Sequence, residues 1–117
     1  MEADLNPPVI SDTPLYQLVR EGNITAFNDQ RDITCDFSGH DFRGIDLRGI
    51  NADNINFSDC YFHGSDLRGL DLTSSNLEGA SIHRARIAGA YFPPELAAEE
   101  IRLSLKEGIR MRYNQGV

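Results

Sequence analysis

The chain has 117 residues, enough for one domain, and a formal net charge of −7 at pH 7. This charge argues against a general nucleic-acid binder, because neutralising phosphates requires clustered Lys and Arg. The first residues have neither the positive nor the apolar region of a secretory signal, and no later stretch is apolar enough to span a membrane. We therefore expect a cytoplasmic protein without membrane contact.

Two cysteines, Cys35 and Cys60, are too few for the disulfide framework of a small secreted domain. We interpret both as buried free thiols. At inward positions they lack the exposed, electropositive setting that makes a cysteine reactive.

The chain before residue 35 contains two predicted segments, a flexible tail over 1–12 and a helical cap over 13–34. A first short helix begins at Pro14, where the missing N–H costs nothing, and ends at Gly22. Asn23 caps a second helix of one or two turns. Neither helix is long enough to be stable alone in water, so we expect both to pack on the start of the next segment.

Residues 35–94 consist of twelve five-residue units without insertion or deletion. The central residue of a unit is large and apolar in eleven of the twelve. That residue and the one two positions earlier face the same side of an extended chain, so these two columns form the predicted interior. The predicted core consists of Phe37, Phe42, Leu47, Phe57, Phe62, Leu67, Leu72, Leu77, Ile82, Ile87 and Phe92.

Each unit also has the composition of a short strand followed by a turn. Asp or Asn precedes the central residue in eight units, and Gly follows it by two positions in seven. Asx side chains bond their own backbone in tight turns, and Gly adopts positive φ without strain. A single unit cannot complete a hydrogen-bond ladder, so the array must coil on itself.

The units SDLRG, IDLRG and SNLEG resemble the Ala-Asp/Asn-Leu-x-x consensus of the pentapeptide-repeat family. The resemblance implies an all-β solenoid, namely a right-handed quadrilateral β-helix in which four units form one coil. Twelve units then make about three coils, capped by the short N-terminal helices and a C-terminal helix. Departures from the consensus are Ala52 at a centre, His40 in the inward column, and Tyr61, Arg86 and Tyr91 where Asp or Asn is usual.

Residues 95–117 are predicted to form a C-terminal helical cap and tail. Pro93 and Pro94 end the strand pattern, and an amphipathic helix follows with Gly108 as its C-cap. Some apolar residues fall outside its buried stripe or after its end. These are a candidate contact with a second copy of the chain: Leu103, Ile109 and Met111.

With four units per coil, residues twenty apart stack about 4.8 Å apart, which sorts the units into four walls. Wall A contains the units centred on Phe37, Phe57 and Leu77, wall B those on Phe42, Phe62 and Ile82, wall C those on Leu47, Leu67 and Ile87, and wall D those on Ala52, Leu72 and Phe92. All five arginines of the block lie on walls B and C. The candidate partner surface consists of Arg43, Arg48, Arg68, His63, His83, Arg84 and Arg86.

Two interpretations of this surface stay open. Its arginines could contact a partner that carries carboxylates or phosphates, since guanidinium groups match planar anions. Alternatively, Arg48 and Arg68 only neutralise Asp46 and Asp66 and prevent like charges from stacking. Two histidines without a third ligand make a poor metal site, so we expect no metal. A filled coil offers no cleft, so we also expect no cofactor and no catalytic residue. His40 is expected to be a hydrogen-bonded interior residue.

The sequence favours a non-enzymatic protein–protein interaction module whose partner is an unidentified protein. The resemblance supplies one alternative, a DNA mimic that binds DNA gyrase, as some family members do. Those members are much longer rods, so we expect no effect on gyrase and no direct nucleic-acid binding. A second alternative is a homo-oligomeric structural module, and we expect a monomer or a weak homodimer.

Overall fold

The structure is a computed structural model and describes residues 7–114. The predicted tail over residues 1–6 and the last three residues, 115–117, lie outside the described part. The elements in chain order are α1 (Pro14–Arg20), α2 (Ile24–Gln30), β1 (Cys35–Asp36), β2 (Ile55–Asn56) and α3 (Ala98–Glu107).

The three helices begin and end close to the predicted residues. Helix α1 starts at Pro14, and Gly22 beyond it has a φ of 80°. Asn23 caps α2, because its side-chain oxygen accepts the N–H of Ala26 at 3.3 Å. Gly108 ends α3 in the left-handed conformation. The predicted caps at these positions are confirmed.

The repeat block stacks on itself with a constant register of twenty residues. Strands β1 and β2 are parallel, with Cys35 paired to Ile55. Six isolated parallel bridges continue the same register: Asp41–Tyr61, Asp46–Asp66, Asn56–Asn76, Tyr61–Ser81, Asp66–Arg86 and Asp71–Tyr91. The block therefore has three levels, residues 35–54, 55–74 and 75–94.

Regular strand is scarcer than an all-β prediction implies. Within the described residues, only β1 and β2 extend beyond a single paired residue. The reason is the unit itself, which turns after two or three extended residues and so leaves room for at most two paired residues per unit. Three helices flank the levels, two before residue 35 and one after residue 94.

The central residues fill the interior. Phe42 and Phe62 stack with ring centroids 5.4 Å apart, and Phe57 lies edge-on to both. Nine of the eleven predicted core residues are buried. Ile87 and Phe92 are only partly buried, which corrects that prediction. They belong to the last level, beyond which no repeat unit lies.

Helix α1 closes the first level through Tyr16. Its ring packs against Phe37 and Phe42, with centroid distances of 6.0 and 5.5 Å. His40 lies edge-on to Tyr16 at 4.5 Å, and its ring nitrogens bond Ser11 Oγ and the Ser38 carbonyl, each at 3.0 Å. His40 is therefore hydrogen-bonded, as predicted, but it is only partly buried.

Segments outside the repeats extend the corner between walls A and B in both directions. Val9 forms a parallel bridge with His40, so part of the predicted tail is bonded to the first level. At the other end, Met111 donates its N–H to the Ala80 carbonyl at 2.9 Å and accepts the N–H of Gly79 at 2.7 Å. Backbone pairing at this corner therefore runs through five stacked segments.

Candidate interaction surface

Walls B and C hold three aspartate–arginine pairs, each formed within one repeat unit. The aspartate Oδ1 accepts the backbone N–H of the arginine two residues later, at 2.9–3.2 Å. Asx side chains favour this turn. The guanidinium then lies against the same carboxylate, with Nε and Nη2 at 2.7–3.0 Å from its oxygens. The pairs are Arg43–Asp41, Arg48–Asp46 and Arg68–Asp66.

Asp66 joins two levels of wall C. Its Oδ2 lies 2.7 Å from Arg68 Nη2 and 3.3 Å from Nε of Arg48, which belongs to the level before it. The hydrogen bonds from Arg68 are the largest cause that lowers the pKa of Asp66 to about 2. The arginines thus do neutralise the aspartates, as one interpretation expects.

Arg84 and Arg86 differ from these paired arginines. Neither side chain has an ion pair or hydrogen bond to any residue of the described range, and both residues are exposed. Arg86 stands in the column of Asp46 and Asp66, and its own unit has Ala88 where the earlier units have arginine. Asp66 beneath it is already bonded to two guanidiniums. Free positive charge on these walls therefore lies at the last level.

His63 and His83 lie against the C-terminal segment and are only partly exposed. His63 Nε2 is 3.0 Å from Ser81 Oγ, which donates to the Gly108 carbonyl at 3.1 Å. Burial is the main cause that lowers the pKa of His63, and the nearby His83 adds to it. His83 Nδ1 is buried and has no hydrogen-bond partner between residues 7 and 114.

The described part of the chain contains no group of three or more His, Cys, Asp or Glu that could hold a metal ion. The two histidine rings, with centroids 5.7 Å apart, have no third ligand beside them.

The three residues of the predicted oligomer contact differ in their exposure. Met111 is fully buried, because its backbone pairs with Gly79 and Ala80 and its side chain enters the core. Including Met111 in a contact with a second copy was therefore wrong. Leu103 is partly buried, and Ile109 is exposed.

A shallow depression between α2 and wall D is organised by Arg31. Its guanidinium donates to the carbonyl oxygens of Ile33, Asn51 and Asp53, and its Nε to that of Asp32. These bonds to main-chain oxygens tie the end of the helical cap to the first level. We therefore assign Arg31 a structural role.

One feature of the surface was missed from the sequence, namely an open backbone edge on wall C. The C=O of Ala85 and the N–H groups of Ile87 and Gly89 have no partner in the range 7–114. The order of the repeat units contains a weak signal for this edge, since residues 85–89 form the last unit of wall C. Finding the edge requires knowing which walls the C-terminal segment covers.

No helix within the described residues is long and apolar enough to cross a membrane.

The register of twenty and the aspartate turns define a protein built from stacked five-residue repeats. Residues 55–92 match the family model of pentapeptide repeats, in eight copies. Residues 55–92 are therefore shown to be pentapeptide repeats. Residues 35–54 precede the match but carry the same turns and bridges. No curated protein and no solved structure matches the chain.

Proposed function

We propose that the repeat block is a right-handed quadrilateral β-helix of three coils that serves as a non-enzymatic protein-interaction module. The constant register of twenty residues supports four units per coil. Pentapeptide repeats generally form such a β-helix. We further propose that the protein works in the cytoplasm, and its two buried, unbonded cysteines support this proposal.

The observation that carries this proposal is the contrast between the inside and the outside of the block. Inside, apolar side chains fill the levels, and the polar groups bond to carbonyls. Ser65 Oγ donates to Phe62, Ser75 Oγ to Ala52 and Cys60 Sγ to Phe37. Such a filled interior favours binding on the outer walls.

Outside, side chains of defined charge are held in fixed columns. The side chains of Arg43 and Arg48 are about half exposed, at 50% and 53%, although each is bonded to an aspartate. A guanidinium held by its own carboxylate loses little conformational entropy when a partner binds. Walls B and C are therefore the proposed contact surface, and its partner is a protein.

Affinity capture from the source organism's lysate tests the proposal. We expect one specific set of partners with the wild type and its loss in the triple variant Arg43→Glu, Arg48→Glu, Arg68→Glu. Charge reversal beside an aspartate adds repulsion, so the triple Gln variant is measured as well, and thermal unfolding verifies that both fold.

Arg102→Glu is the matched control, because Arg102 is an exposed arginine paired with Glu99 on α3, away from the repeat walls. Its partner set should equal that of the wild type. If the triple variants also retain every partner, walls B and C are solvated faces and the proposed surface is wrong.

A further inference from the structure

Wall C shows how one level binds the next. In the second level, Asp66 donates its N–H to the Ile45 carbonyl at 3.0 Å, and its own carbonyl accepts the N–H of Leu47 at 3.0 Å. Arg86 repeats this pattern one level on, with bonds of 2.9 Å to Ser65 and 2.8 Å from Leu67. Each added level thus contributes one residue that both donates and accepts.

In the last level, walls A and B receive such partners from the C-terminal segment. Met111 takes the bridging position at the corner of the two walls. Ser104 Oγ accepts the N–H of Ile82 at 3.0 Å, and the Leu105 carbonyl accepts that of Arg84 at 3.1 Å. These two walls are closed by the protein's own chain.

Wall C is left open at the same level. In the earlier levels, the equivalents of the Ala85 carbonyl and the Ile87 N–H both bond to one residue of the next level. Neither group has such a partner within the described residues. Gly89 also has a free N–H there, whereas its counterpart Gly69 bonds the Ala88 carbonyl at 3.0 Å. Gly89 and Ala88 are exposed, so a partner can reach this edge.

The side chains next to the edge are positive. Arg86 lies at the bridging position of the last level, so the side chain of a residue paired above it would stack on the Arg86 side chain at about the strand spacing of 4.8 Å. Arg84 adopts a φ of 60° at a position that glycine fills in other units. That conformation is strained for an L-residue, and such strain marks candidate functional positions.

We propose that this edge, formed by Ala85, Ile87 and Gly89, binds an extended acidic segment of the partner protein as one further parallel strand. One residue of the segment donates to the Ala85 carbonyl and accepts from Ile87, and its carboxylate pairs with Arg86. Main-chain pairing supplies affinity, and the side chain beside Arg86 supplies specificity. The inference rests on the proposed function.

Two other occupants fit the edge less well. A nucleic acid has no peptide group to complete the pairing, and the protein's charge of −7 opposes a long polyanion. A second copy that continued the parallel stack would have to approach with its own first level, which α1 covers through Tyr16. A second copy that paired by the same edge would bring like charges of Arg84 and Arg86 together. Both are kept as outcomes of the test.

Fluorescence anisotropy with a synthetic nine-residue peptide of alternating glutamate and valine measures the binding. We expect the wild type and Arg102→Glu to bind it equally, and Arg86→Glu to bind at least about tenfold more weakly, the size expected for a lost charge-assisted hydrogen bond. The same peptide with its glutamate backbone nitrogens methylated cannot donate a hydrogen bond to the Ala85 carbonyl. Its affinity should fall by a similar factor.

Amide hydrogen exchange by NMR locates the contact. Addition of the peptide should slow exchange at Ile87 and Gly89 and leave Gly69, which is already bonded, unchanged. Equal binding of the methylated peptide, no binding, tighter binding of a DNA duplex, or self-association in place of peptide binding each overturns the proposal. If affinity capture still finds partners that depend on Arg43, Arg48 and Arg68, the proposed function stands without this edge.

Discussion

The hydroxyl of Tyr16 donates a 2.6 Å hydrogen bond to the main-chain carbonyl of Asp41, which joins α1 to the first level of wall B. Both residues are buried. Tyr16→Phe keeps the ring contacts but leaves this carbonyl with only a long contact from Arg20. We expect a loss of about 1–2 kcal/mol in the free energy of unfolding, measured with urea.

Tyr91→Phe is the control for that measurement, because Tyr91 is 67% exposed and its hydroxyl has no hydrogen-bond partner among residues 7–114. Its effect should stay within about 0.5 kcal/mol. Equal effects of the two substitutions would show that the Tyr16 hydroxyl does not hold the cap.

Gly79 and Gly64 both have positive φ, 79° and 69°, but their surroundings differ. A Cβ on Gly64 meets open space, so Gly64→Ala should cost only the left-handed strain of about 1–2 kcal/mol. A Cβ on Gly79 would lie 2.1 Å from Asp59 Oδ1 and displace the Asp59 side chain from Arg110. Gly79→Ala should therefore be the more destabilising, and thermal unfolding compares them. The reverse order contradicts this packing of the C-terminal segment.

His63 should make the fold less stable in mild acid. Its pKa in the folded chain lies below its usual 6.5, first because of burial and then because of the positive charges of His83, Arg43 and Arg110, which outweigh Asp41. The unfolded chain then binds a proton more readily, so stability is lost as the pH falls below 6.5. His63→Gln should remove that part of the loss in urea unfolding measured from pH 7.5 to 5.5. An unchanged slope would contradict this environment.

The protein should neither inhibit DNA gyrase nor protect it from quinolones. The described part is at most 39 Å long, including its helices, and aspartate–arginine pairs cover two of its walls. A duplex mimic needs a long, uniformly negative surface instead. A supercoiling assay with micromolar protein tests this expectation, and inhibition would restore the alternative of a DNA mimic.

The pure protein should be a monomer in light scattering at high concentration. Met111 is buried, and of the three predicted contact residues only Ile109 is classed as exposed, at 43%. One exposed apolar side chain falls far short of a stable interface. Ile109→Glu should leave the mass unchanged, whereas a concentration-dependent dimer that this substitution abolishes would support the homo-oligomeric alternative.

The sequence by itself determined the period of five, the inward columns and the glycine and asparagine caps of the helices. Such features follow from local chemistry. For example, the Asp46 side chain accepts the N–H of Arg48 within its own turn, and Gly22 adopts a positive φ. Only the tertiary structure decided that Asp66 bonds Arg48 as well as Arg68, that Met111 is buried, and that the Arg86 guanidinium has no partner among the described residues. The first outcome depends on how two levels stack, and the other two depend on which walls the chain beyond residue 94 covers. A five-residue pattern carries no information about the path of the chain after residue 94. Within the described residues, that path covers walls A and B and leaves the edge at Ile87 unpaired.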